Sequence, residues 1–216
     1  MLYRSILKNG QDQFEEKKSI FIGYSFPVEN EDQALDLIAK IKEKHKDATH
    51  NCWAYVLGPK KMIQRFDDDG EPSGTAGLPI LEVIKREDLT NIVLVVTRYF
   101  GGTLLGSGGL IRAYSKGAKI AIDAGQIVDM APYKLMAYNY DYVHHGKIMN
   151  LIETQGYKLI EAIYTDKVEI HLLLAKKRVD NLSKSLLNIT SGQLTSRLLE
   201  ERIEAEINGD LIWTKQ

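Results

Sequence analysis

The chain has a single cysteine, Cys52, among its 216 residues. That count excludes an internal disulfide and a cysteine-based zinc cluster, and it fits a reducing compartment. An excess of either charge is also missing, since 28 Lys and Arg stand against 29 Asp and Glu for a formal net charge of -1. The balance holds on both sides of residue 127, so neither half is a basic module and no overall field draws the chain onto nucleic acid or an anionic membrane. Any such binding must be local. Long apolar runs are absent as well. The longest aliphatic stretch, Ile92 to Val96, is far too short to span a bilayer, and MLYRSILKNG holds no apolar segment of signal-peptide length. These absences predict a soluble cytoplasmic protein with no membrane partner. What remains is ordinary globular composition, 44% apolar and 26% charged, with room for two compact units of about 100 residues each.

Periodicity divides the chain. Lys18 to Val28 reads as a strand, and Glu31 to Lys46 as a helix with Ala34, Leu35, Leu37, Ile38 and Ile41 at helical spacing. Strands at Cys52 to Leu57 and near Met62 to Phe66 lead into the turn-rich DDDGEPSGTAG. Leu78 to Lys85 reads as a helix that Ser73 or Thr75 can cap, with Pro79 in the first turn, where its missing N–H costs nothing. Ile92 to Val96 has the unbroken aliphatic character of a strand covered on both faces, and Ile111 to Ala124 reads as a helix. Beyond residue 127 the order is strand (134–143), helix (146–154), two strands (157–164 and 167–174), helix (179–188) and strand (196–207). That β-α-β-β-α-β order is the ferredoxin-like sandwich. The expected domains are therefore 1–127 and 132–216, an α+β protein in two parts.

Between the buried strand and the helix lies TRYFGGTLLGSGGLIRAYSKG, residues 97–117. Glycines before a helix free backbone N–H groups and let a ligand approach the positive helix end, which is how proteins hold phosphate. The candidate anion site is Arg98, Gly101, Gly102, Ser107, Gly108, Gly109, Arg112 and Lys116. Arg112 and Lys116 stand four apart on one helix face, and their repulsion calls for an acid between them. Either an external phosphate or the chain's own Asp67, Asp68, Asp69 and Glu71 would supply it. The loop meets neither the P-loop pattern nor G-x-G-x-x-G, so no nucleotide cofactor is implied. The acidic turn fails as an EF-hand because Arg65 and Ala76 fall where the first and last ligands belong, and no metal is expected. A turn braced by its own aspartates and facing the basic helix is the preferred reading.

Other candidates carry less. His50 and Cys52 share a strand face with no third group to orient them, so Cys52 reads as a packed thiol. His144 and His145 diverge around a helix start. Tyr138, Tyr140, Tyr142 and Tyr157 suit either base stacking or core packing.

Together ATHNCWAY at 48–55, DDDGEPSGTAG at 67–77 and RYFGGTLLGSGGLIRAY at 98–114 resemble the YigZ/IMPACT family of translation-linked proteins. The resemblance implies a first domain shaped like the second domain of a small-subunit ribosomal protein, and a second domain like a late domain of elongation factor G. It also implies partners at the ribosome, among RNA or among translation factors, and it transfers no catalytic residue. The expected function is a cytoplasmic binding protein with a phosphate-holding site. The alternatives are an enzyme acting on a phosphorylated small molecule, with Asp67, Asp68, Asp69 or Glu71 handling a proton or Mg²⁺, and a protein-interaction regulator.

Overall fold

The computed structural model describes residues 1–212; the last four residues of the expected 132–216 domain lie outside the described residues. The chain forms two compact units, Met1–Asp129 with Ile207–Gly209, and Met130–Glu206 with the chain from Asp210. Fold class is α+β, as the order of elements implied.

The first unit is built on five strands: β2 (Gly10–Glu16), β3 (Ser19–Pro27), β4 (His50–Leu57), β5 (Ile63–Asp67) and β6 (Ile92–Tyr99). A short β1 (Tyr3–Ile6) precedes them. The sheet order is β2-β3-β6-β4-β5, and each pairing is antiparallel. Helices cover both faces: α1 (Glu31–Lys44), α2 (Gly77–Arg86) and α3 (Ser107–Gly125). β6 explains why. Because successive strand residues point to opposite faces, Ile92, Leu94 and Val96 join Ile80 and Ile84 of α2 and Ala118 and Ile122 of α3, whereas Val93 and Val95 join Ala34, Ile38 and Ile41 of α1. A strand buried on both sides is here antiparallel.

From β7 (Ile127–Tyr140), whose residues from Met130 on belong to the second unit, α4 (His145–Thr154), β8 (Lys158–Tyr164), β9 (Val168–Ala175), α5 (Val179–Ile189) and β10 (Thr195–Ile207) follow in the expected order, closed by β11 (Asp210–Leu211). Their sheet runs β11-β10-β7-β9-β8. Removing β11 leaves the fourth, first, third and second strands side by side, which is the ferredoxin-like arrangement. Tyr138 and Tyr140 are fully buried among Ile148, Ile170 and Leu182, so these two belong to the core and offer no stacking platform for bases.

Three local readings need correction. β2 is absent from the sequence reading because GQDQFEE carries one apolar residue, Phe14, and lies at a sheet edge. Helix α3 starts a full turn early and takes Ser107, Gly108 and Gly109 into its first turn. The residue capping α2 is neither Ser73 nor Thr75, as its first amides are met from the acidic turn described next.

Candidate functional site

The three quoted segments converge on one buried carboxylate. Glu71 projects from the acidic turn, and its Oε1 accepts from Arg98 Nη1 at 2.6 Å and from the Tyr114 hydroxyl at 2.7 Å. Glu71 and Arg98 are only 8% and 5% exposed. The guanidinium is flanked by the rings of Phe21 and Phe100, 5.5 and 5.3 Å from their centroids. Glu71 Oε2 lies 3.8 Å from His50 Nε2. Because the carbonyl of Asp69 can only accept, its 2.7 Å contact puts a proton on His50 Nδ1 and turns Nε2 toward Glu71. One oxygen thus ties β6, α3 and the turn together.

The aspartates brace the turn instead of facing the basic helix. Asp68 Oδ2 accepts from Gly74 N at 2.7 Å, and its Oδ1 from Ala76 N and Gly77 N at 3.0 and 2.8 Å, which makes it the cap of α2. Asp67 Oδ1 accepts from Asp69 N at 2.7 Å. Asp69 takes Asn51 N and Lys42 Nζ, each at 2.6 Å. Among the described residues no three His, Cys, Asp or Glu side chains gather around a common point that would hold a metal. Cys52 is fully buried and donates to the Asp68 carbonyl at 3.0 Å, and burial pushes its thiol far above the ordinary range. Burial, Cys52 and Glu71 push the Tyr114 hydroxyl up in the same way. Neither group is poised to lose a proton at neutral pH.

The proposed anion residues therefore divide. Arg98 is withdrawn into its pair with Glu71, and the Gly101 amide donates to Ser19 Oγ at 3.1 Å. Gly102, at φ +81°, forms the bend of the loop. The remainder stay together on α3. No acceptor meets the first-turn amides of Ser107, Gly108 and Gly109 among the described residues, as expected of a helix start. Gly109, Arg112 and Lys116 line one side of a cleft of about 190 Å³ with Leu105 and Ala113. Phe14, Glu16 and Lys17 form the other side.

Arg112 has no hydrogen-bond or ion-pair partner among the described residues, and Lys116 has only the ring of Phe14, 4.2 Å from its ammonium. Asp67, Asp68 and Asp69 answer neither cation. Of the residues that sequence reasoning missed, Phe14 and Glu16 sit on the strand it did not detect and Lys17 in the turn that follows it. His50 could have been found only through the fold, since nothing in its spacing points to Glu71.

Fold and motif cluster define a two-domain α+β protein whose N-terminal unit is tied together by a buried Arg–Glu–Tyr contact. Residues 17–122 match the Impact N-terminal domain, and residues 139–193 match the domain of unknown function DUF1949. The IMPACT family member YvyE of Bacillus subtilis (strain 168) is 40% identical over 191 residues, covering 88% of this chain and 88% of that protein. The IMPACT family member YigZ of Escherichia coli (strain K12) is 33% identical over 191 residues, 87% of this chain and 93% of its own length. The chain belongs to the IMPACT family. Protein IMPACT of Rattus norvegicus is 34% identical over 96 residues, which is 42% of this chain and 30% of that protein. A crystal structure of a hypothetical protein superposes with a TM-score of 0.58 at 30% identity, covering 92% of this chain and 97% of its own.

Proposed function

We propose that this protein is a cytoplasmic binding protein of the translation apparatus, engaging RNA, the ribosome or a translation factor through a phosphate held on α3. One observation carries the reading: Arg112 and Lys116, four apart and mutually repulsive, share a cleft with Lys17, and among the described residues no carboxylate pairs with either. A chain with net charge -1 has no general appetite for anions, so local cations left without partners gain most from a bound phosphate. The competing enzyme reading assigns proton transfer to Asp67, Asp68, Asp69 or Glu71, and these are engaged in turn by the Asp69 amide, the start of α2, Lys42 and Arg98.

Thermal-shift measurements test it. Inorganic phosphate, nucleotides, phosphorylated metabolites and short RNA are each expected to be compared on the intact chain and on Arg112→Ala. Ligand at 100 times its dissociation constant stabilises by about 2.7 kcal/mol, so saturating RNA should raise the melting temperature of the intact chain and leave the variant unmoved. An unchanged melting temperature across the whole panel would overturn the phosphate site.

A further inference from the structure

We infer that the β2–β3 hairpin is the second wall of this site, and that the ligand is a single-stranded nucleic-acid backbone held by its phosphates and not by its bases. The inference rests on the cleft reading above and adds the hairpin and the ligand class.

The hairpin turns in two residues, Lys17 and Lys18, between the paired Glu16 and Ser19. Both lysines lie at positive φ, 48° and 65°. A two-residue turn with positive φ at both centres favours Asn-Gly, because a Cβ is disfavoured there. Two exposed lysines stand in those positions instead, so the turn gives up backbone ease and gains two cations beside the cleft. The glycine loop docks this tip. An added Cβ on Gly101 would fall 1.9 Å from the Lys18 carbonyl oxygen, so only glycine lets the loop and hairpin meet.

The cleft is unsuited to reading bases. Among the described residues its lone aromatic lining residue, Phe14, has one neighbour stacked at 5.2 Å and 8°, Phe21, and the ammonium of Lys116 set over the ring. A base would have to displace one of them. At about 190 Å³ the space also falls below the roughly 300–1,000 Å³ of sites that enclose a small molecule. A phosphate fits, and Lys18, next to the lining residue Lys17 in the turn, is assigned to a neighbouring phosphate. Among the described residues Glu16 is the one carboxylate in the lining, and it opposes the ligand.

The test is fluorescence anisotropy with labelled oligouridine, oligoadenine and oligothymidine from about 50 to 200 mM salt. Equal affinities within a few-fold are expected, with a log–log salt slope of about -1.4, as two neutralised phosphates on a single strand would give. Glu16→Gln should tighten binding. Replacing Lys17 and Lys18 together by glycine should flatten the slope by about 0.7 while raising the melting temperature, a divergence that a merely structural turn would not produce. More than about a tenfold preference for one base, or an unchanged slope in the glycine variant beside lost binding in Arg112→Ala, would overturn the inference and leave the α3 site standing. Full binding by Arg112→Ala would overturn the underlying reading itself.

Discussion

His45 lies in a chain of side chains whose proton positions follow from their neighbours. Lys44 donates to the Tyr24 hydroxyl at 3.2 Å, so Tyr24 turns its own proton to His45 Nε2 at 2.7 Å. At the other ring nitrogen Tyr99 donates to Asp47 at 3.1 Å, so it accepts from Nδ1 at 2.8 Å. The ring is neutral, and no position is free for a second proton without reversing Tyr24 toward the ammonium. Burial first, then Lys44, holds His45 below the ordinary histidine range, with Asp47 opposing. The unfolded chain binds this proton more readily, so the contribution to stability is complete above about pH 6.5 and is lost as pH falls. The melting-temperature gap between the intact chain and His45→Gln should therefore narrow between about pH 8 and about pH 5.5, and a constant gap would contradict the neutral assignment. The pair of Arg98 and Glu71 predicts a different pattern. Removing one partner strands a buried charge, so Arg98→Met or Glu71→Leu alone should cost about 3–5 kcal/mol in urea unfolding, with the double variant costing clearly less than either.

Elements show what could be read from sequence and what could not. The helices α1, α3 and α5 and the buried β6 announce themselves by apolar spacing, because each owes its formation to a face or a pair of faces that must be covered. β2 owes its formation to Phe14 and to backbone pairing with β3, which leaves almost no apolar signature in the sequence. For the same reason half of the cleft stayed hidden while Arg112 and Lys116 were legible as cations on one helical face. Charge alone could not say that Arg98 would be buried on Glu71, because that contact joins residues 27 apart and depends on how the turn folds back onto β6. The cap of α2 is similar: Asp68 lies nine residues before Gly77, outside the spacing of any local capping box. With three amides depending on it, Asp68→Ala should lower stability by about 2 kcal/mol, the upper end for a helix cap, whereas Ser73→Ala should change the urea midpoint little. Equal losses in the two variants would return the capping role to the nearer hydroxyls.

For the whole molecule the decisive fact is that each unit carries its own core. Ile80, Ile84, Leu94 and Ile122 belong to a cluster made wholly from the first unit, and Tyr138, Ile148, Ile170 and Leu186 to one made wholly from the second. The described residues that line the cleft, from Phe14 to Lys116, all come from the first. A unit of about 130 residues is large enough to bury a core by itself. A fragment ending at Asp129 is thus expected to unfold cooperatively and to bind oligonucleotide with a salt slope within about 1 of the full chain, since the same few cations meet the same phosphates. Circular dichroism and anisotropy on the fragment decide the point. Cooperative unfolding with binding lost would mean that the second unit supplies contacts to the ligand, and the phosphate-holding surface would then have to extend past residue 129. Cooperative unfolding with binding retained assigns recognition to the first unit and leaves the ferredoxin-like unit for a different contact.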